Sequence, residues 1–257
     1  APDSIDLHDT LVDEQTLFCF SADKNVLIIV LDAFQGDVFQ EIINEDSSYR
    51  DMFRGFTYFR NTLGGYPVTA ASVPLILTGQ FYDNSIPLQE FIKKAFSTVS
   101  LPKVLTDKGY QVDLVGPARC FYADESIASS RVQISYESTE DKTTGRLKLI
   151  YDLTLFRHLP HFLKRFVYND QAWLLSNLRW NKKVGEFPRG HYRASIEFID
   201  KMVENLAVND KRPVFKYIHL GISHPPLRVN ERLEYEPMPY SRENFKRQAK
   251  GSLQLTD

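Results

Sequence analysis

A chain of 257 residues, 43% hydrophobic and 25% charged, is long enough to bury the core of one sizeable α/β domain or two small ones. Its 31 basic and 33 acidic residues leave a net charge of −2, which offers no electrostatic footprint for nucleic acid. Two cysteines, Cys19 and Cys120, cannot build a zinc cluster or a disulfide framework and leave either one disulfide or two buried thiols.

The longest purely aliphatic run, Val26 to Leu31, is far too short to span a bilayer, and no signal-peptide pattern opens the chain. The chain begins at Ala1 without an initiator Met, as expected of a processed protein or a piece of a longer one. No linker composition interrupts it, so an N-terminal extension (1–24) followed by one α/β domain (25–257) is expected. In the extension, Leu17 to Phe20 reads as an edge strand or a staple onto the core, and His8 with Asp9 reads as a solvated terminus.

Asn25 to Leu31 is a continuous aliphatic run rich in β-branched residues, the pattern of a central parallel strand buried on both faces, and it ends at Asp32. In open α/β sheets the ligand crevice lies at the C-terminal ends of the strands, so Asp32 is a site candidate; otherwise it caps the following helix, Phe34 to Asn44. Phe53 to Phe59 alternates aromatic and polar residues and predicts a second strand. Asn61 to Gly79 then sets a glycine- and hydroxyl-rich entry before an apolar helix, with Thr69 and Ser72 at the helix start and Val73 to Leu77 anchoring it. Such an entry gathers backbone N–H groups around one hydroxyl, which suits an anion or an attacking alkoxide.

Further along, Val99 to Lys108 predicts a short helix stopped by Gly109, and Gln111 to Val115 a strand, the succession of a βαβ crossover. Residues 118–147 are polar and read as a surface excursion. Over 149–180, aromatic residues such as Tyr151, Phe156, Phe162, Phe166, Trp173 and Trp180 are interleaved with Arg157, Lys164, Arg165 and Arg179. This predicts an amphipathic lid, packed on the sheet or resting on a membrane surface or lipid-bearing substrate. His158 and His161 have a spacing metals can use, but Pro160 breaks the helix between them. Tyr192 to Leu206 has helical periodicity, Pro213 to His219 reads as a strand, and His224 follows in a loop before two prolines. The tail from Leu233 is charged and Pro-broken before a last helical stretch.

Asp32, Thr69 and His224 thus come from three elements that end at the same sheet edge. A carboxylate, a hydroxyl and an imidazole suit metal-assisted phosphoryl transfer, in which a divalent ion lowers the hydroxyl pKa and the imidazole stabilises charge or donates a proton. Each residue also has a plain structural reading: a helix cap for Asp32, a loop position for Thr69 while Ser72 caps the helix, and a turn former for His224.

At these residues the chain resembles the alkaline phosphatase and sulfatase superfamily, particularly its membrane-anchored branch of lipoteichoic acid synthases and phosphoethanolamine transferases. Asn25 to Asp37 is similar to the first strand with its metal-binding acid, which implies that Asp32 is a ligand. Thr69 to Pro74 is similar to the transferase motif, which implies that Thr69 is both ligand and nucleophile. His219 to Pro226 is similar to the later strand and loop whose second histidine, here His224, contacts the substrate phosphate or a second ion. The resemblance implies a three-layer α/β/α fold with a mostly parallel sheet. It also implies a divalent cation (Zn²⁺ or Mn²⁺, with Mg²⁺ or Ca²⁺ as further options), a lipid-linked or cell-envelope phospho-donor, and a glycan or lipid acceptor. The setting it implies is an extracytoplasmic domain, periplasmic or cell-surface, of a membrane protein.

Two departures matter. Sulfatases proper carry a Cys or Ser with an Arg four residues on; Thr69 and Val73 stand there, which disfavours sulfate-ester hydrolysis. The superfamily's Asp-His metal pair has no counterpart after His224, where Asp257 is the only aspartate and no histidine follows. The expectation is therefore that the pair belongs to sequence beyond Asp257 and that this chain alone is inactive or binds metal weakly. Two alternatives to a transferase through phospho-Thr69 stand beside it: a phosphodiesterase or phosphatase using water, and a degenerate family member acting as a binding module. A dinucleotide-binding reading fails, since no Gly-x-Gly-x-x-Gly follows the first strand.

Overall fold

The structure, a computed structural model, describes residues 14–134, 142–169, 172–177 and 191–255. His8, Asp9, Arg179, Trp180 and Asp257 lie outside the described residues. In chain order the elements begin with α1 (Glu14–Leu17), β1 (Cys19–Ser21), β2 (Asn25–Leu31), α2 (Gly36–Glu45), α3 (Ser47–Met52) and α4 (Thr69–Thr78). Next come α5 (Leu88–Thr98), α6 (Leu101–Asp107), β3 (Gln111–Gly116), a 3-10 turn (Ala118–Cys120) and β4 (Ser130–Gln133). After these come α7 (Lys142–His158), α8 (His161–Val167), β5 (Tyr168–Asn169), β6 (Ala172–Trp173) and α9 (Leu174–Asn177). The chain then passes through α10 (His191–Glu204), β7 (Ala207–Asp210), β8 (Val214–Leu220) and α11 (Arg242–Gln254).

The main sheet has the order β2-β8-β3-β4, every pairing parallel, while β1 and β7 form a separate parallel pair and β5 and β6 an antiparallel one. Strand β8 has a neighbour on each edge and is buried at every position. Its side chains alternate between two cores, because successive residues of a strand point to opposite faces. Phe215 and Tyr217 pack with Val73 and Leu77 of α4 and Phe91 and Phe96 of α5. On the other face, Ile218 and Leu220 pack with Phe198 and Ile199 of α10. This is the three-layer α/β/α arrangement; burying each such side chain contributes about 1.5–3 kcal/mol. A third cluster joins α2, α3 and α11 through Val38, Ile42, Tyr49 and Phe245.

The alternation also places Lys216 in the interior. It is 2% exposed, and its Nζ donates to Leu17 O and to Asp113 Oδ2, each at 2.5 Å, tying α1 and β3 to the central strand. Burial pushes the Asp113 carboxyl up from its ordinary value, against the pull of Lys216 and Gln111.

Four expectations are corrected. Strand β2 is not central: among the described residues it pairs only with β8, and Val26 and Leu27 are exposed. A continuous aliphatic run reports apolar faces and is silent about how many edges are paired. Residues 53–59 form no strand. There, Phe53 and Tyr58 pack on Phe39 of α2 at ring-centroid distances of 5.4 and 4.9 Å, and the Tyr58 hydroxyl donates to Gly36 O. Residues 118–134 are not a surface excursion: Cys120, Phe121, Ile127, Ala128 and Val132 are core residues, and β4 adds a strand to the sheet. Short, small-residue segments hide such burial behind a polar average. Finally, Ser72 does not cap α4, since its Oγ donates to Tyr66 O.

Other expectations hold. Leu17 to Phe20 leads into the short strand β1, Gly109 follows α6 with φ +83°, and Pro160 separates α7 from α8. Cys19, half-buried, and Cys120, buried, are not joined in a disulfide. Phe156 of α7, Tyr168 of β5 and Trp173 of β6 form a cluster with centroids 4.5–6.0 Å apart. Tyr151, Phe162 and Phe166 remain exposed. Among the described residues no helix is long and apolar enough to cross a membrane.

Candidate active site

Asp32 sits one residue beyond β2, at the C-terminal edge of the sheet. Its backbone extends the ladder, with Asp32 N donating to Leu220 O at 2.9 Å, and its carbonyl accepts from Ser223 Oγ at 2.7 Å. The chain then turns sharply at Ala33, a non-glycine residue at φ +60°, a costly conformation that the surrounding contacts must hold. Helix α2 begins four residues after Asp32, with Gln35 as its N-cap residue, so Asp32 is not a helix cap.

Thr69 is the first residue of α4, whose N-cap residue, Val68, provides no side-chain acceptor. The entry loop is pinned instead by Tyr66, whose hydroxyl donates to Tyr82 O and accepts from Tyr82 N. The Thr69 hydroxyl is thereby free to face Asp32: Oγ1 lies 3.4 Å from both Oδ1 and Oδ2. This is longer than a well-formed O–H···O bond and symmetric between the two oxygens.

The third group is one that the sequence motif brought along without a role. His219 of β8 follows Phe215 and Tyr217 on the face that looks toward α4, and its Nε2 lies 3.4 Å from Asp32 Oδ2. Tyr217 Oη lies 3.1 Å from His219 Nδ1. The strand period of two was the available signal: counting on from Phe215 puts 217 and 219 on one face. His224 lies in the loop after β8, is exposed, and lines the same cleft as Asp32, Thr69 and His219, a space of about 460 Å³. Its Nδ1 approaches Pro225 O at 2.5 Å, and since a carbonyl only accepts, Nδ1 is the donor.

Burial works against the charged form of Asp32, but the imidazoles of His219 and His224 and the Thr69 hydroxyl outweigh it and hold the carboxyl below its ordinary value. A carboxylate, a hydroxyl and two imidazoles therefore converge at the edge of the sheet. Asp32 and Thr69 are hard oxygen donors that fit part of the coordination shell of a divalent cation. Among the described residues no group of three or more His, Cys, Asp or Glu side chains is placed to hold a metal ion. His158 and His161, at the end of α7 and the start of α8, are both exposed and stand apart from the cleft lining.

Several solved structures are similar to this chain. One is a protein of the alkaline phosphatase superfamily from Vibrio parahaemolyticus, 12% identical, with 93% of this chain and 50% of that one covered and a TM-score of 0.49. Another is Ps i-CgsB in complex with k-i-k-neocarrahexaose, 14% identical over 91% of this chain and 53% of that one, with a TM-score of 0.48. The chain thus spans about half the length of these structures. No curated protein sequence matches it. The profile of the Sulfatase family matches residues 24–250, from the threshold of β2 into α11 and across every residue of the cleft. By that match the chain belongs to the sulfatase family.

Proposed function

We propose that this chain carries the reacting pair of a metal-dependent phosphoryl-type transferase, with Thr69 as nucleophile and Asp32 as a ligand of Zn²⁺ or Mn²⁺. The observation that supports it most is the approach of Thr69 Oγ1 to both oxygens of Asp32, at 3.4 Å, from 37 residues away in sequence. A divalent cation bound there would supply positive charge against the donor phosphate and lower the pKa of the hydroxyl. By the resemblance the remaining ligands are an Asp-His pair, for which this sequence has no counterpart after His224.

In the first half-reaction Thr69 Oγ1 attacks phosphorus and gives up its proton, while the phosphorus–oxygen bond to the donor alcohol breaks and that oxygen takes up a proton. An acceptor hydroxyl then attacks phospho-Thr69, and the Thr69 oxygen is released and reprotonated. The uncapped N-terminus of α4 favours the negative charge gathered at Thr69. His224, exposed at the mouth, is assigned the phosphate contact, which its ring makes as an N–H donor. Val73, where sulfatases proper have Arg, supports phosphate over sulfate esters.

The setting we assign is an extracytoplasmic domain, periplasmic or cell-surface, of a membrane protein, with a lipid-linked or cell-envelope donor and a glycan or lipid acceptor. Exposed Tyr151, Phe162 and Phe166, with Lys164 Nζ 5.0 Å over the Phe156 ring and Arg165 Cζ 4.9 Å over the Phe166 ring, suit contact with an anionic lipid surface. The deciding experiment is Thr69→Ala in the full-length protein. It should abolish turnover and covalent phospho-labelling and leave the circular dichroism spectrum unchanged; retained turnover overturns the assignment.

A further inference from the structure

His219 is 4% exposed, yet its Nε2 makes no hydrogen bond; the acid within ion-pair distance is Asp32, with Oδ2 at 3.4 Å. Behind the ring, Nδ1 meets the hydroxyl of Tyr217, a residue with no solvent exposure. Gly116 of β3 lets the two strands close around this point: a Cβ there would stand 2.8 Å from His219 Cβ.

The position of the imidazole proton follows from what each arrangement leaves unpaired. With the proton on Nδ1, the Nε2 lone pair would face the Asp32 carboxylate, and the Tyr217 hydroxyl proton would have no acceptor among the described residues. Of the two neutral tautomers, only the one with the proton on Nε2 lets Tyr217 donate to Nδ1 while His219 presents an N–H to Asp32. A buried polar group without a partner is costly, so this arrangement is favoured.

We propose that His219 is a positioning residue for Asp32, held as the Nε2–H tautomer by Tyr217, and that it sets the angle at which the carboxylate faces Thr69. The inference rests on the reading of Asp32 and Thr69 as the reacting pair only in its consequence for turnover; the tautomer stands on geometry alone. Because Tyr217 sits in the core between α4 and β8, the arrangement also links the packing of the sheet to the orientation of one reacting group. An imidazole placed in this way fixes the orientation of the group it serves, as outer partners of site residues commonly do.

The first test is nitrogen NMR of the ¹⁵N-histidine-labelled chain. His219 should show a protonated Nε2 and an unprotonated, hydrogen-bonded Nδ1 at neutral pH, and Tyr217→Phe should shift the signals toward a mixture of tautomers. A wild-type signal from the Nδ1–H form or from the imidazolium overturns the proposal, as does a spectrum that Tyr217→Phe leaves unchanged. The second test compares variants of the full-length protein. His219→Ala should lower kcat about 10–100-fold with little change in KM, and His219→Gln, which keeps an N–H near the Nε2 position, should recover most of that loss. Equal losses in both variants overturn the positioning role. If Thr69→Ala retains turnover while the tautomer is as described, the functional reading fails and the core arrangement survives. If Thr69→Ala is inactive and the tautomer is wrong, only the positioning role falls.

Discussion

Thr69 Oγ1 stands equidistant, at 3.4 Å, from the two carboxylate oxygens of Asp32. The symmetry means that neither oxygen is engaged in a tight bond with the hydroxyl, so both are available to a shared cation. Asp32→Asn keeps the shape and removes the charge. It is expected to lower turnover of the full-length protein roughly 10²-fold or more and to weaken metal binding, with melting temperature nearly unchanged. Titration calorimetry with Zn²⁺ and Mn²⁺, alongside turnover assays, checks both halves.

Ser223 holds the same aspartate from the other side, its Oγ donating to Asp32 O at 2.7 Å. Ser223→Ala removes one hydrogen bond and should cost about 1 kcal/mol of stability. Its effect on turnover should be larger than that figure converts to, because the loop carrying His224 and the turn at Ala33 are joined by this bond. Equal effects on stability and rate would show that the bond only stabilises.

Gly116 leaves no room for a side chain beside His219, since a methyl carbon at this position would meet His219 Cβ at 2.8 Å. Gly116→Ala should therefore destabilise by about 1–3 kcal/mol through overpacking, read from urea unfolding. It should also displace the His219 ring, visible in the histidine NMR signals.

Lys216 and Asp113 form a buried pair, 2% and 0% exposed. Lys216→Met leaves an uncompensated buried carboxylate and should destabilise by about 3–5 kcal/mol, whereas the double variant Lys216→Met/Asp113→Leu should recover most of that loss. A double variant no more stable than the single one would mean that the Nζ bond to Leu17 O, and not the charge pairing, holds this corner.

Burial, with a smaller contribution from the Asp32 charge, pushes the Cys120 thiol up to about 11 from an ordinary value of 9.0. The folded state thus binds this proton more tightly than the unfolded chain does. The stabilisation is complete below about pH 9 and is lost as pH rises through 11. Measured against Cys120→Ala, the wild-type advantage should shrink by about 2–3 kcal/mol over that window. A difference constant with pH would show that the thiol is not held protonated by the fold.

Much of the sheet was legible because its strands are rich in apolar and β-branched residues, as at Asn25 to Leu31, which is exposed or half-buried, and at Val214 to Leu220, which is buried throughout. The same signal misplaced β2 at the centre, since it reports faces and not edges. The aromatic alternation of 53–59 mimicked a strand while its rings packed on α2. Segment 118–134 looked polar on average while its small residues filled the core.

By itself the sequence determined the residue types of the site and the elements that carry them: an acid after a strand, a hydroxyl at a helix start, a histidine in the loop after a later strand. Local patterns suffice for that, because strand ends and helix starts are set by near neighbours. Only the tertiary structure decided which of these groups meet, since the meeting depends on strand order and on which face each side chain takes. It put Asp32 beside Thr69, brought His219 to the carboxylate and set Tyr217 behind it. Those contacts to Asp32 join residues 37 positions apart for Thr69 and 187 (219 less 32) for His219, and no local pattern spans such distances.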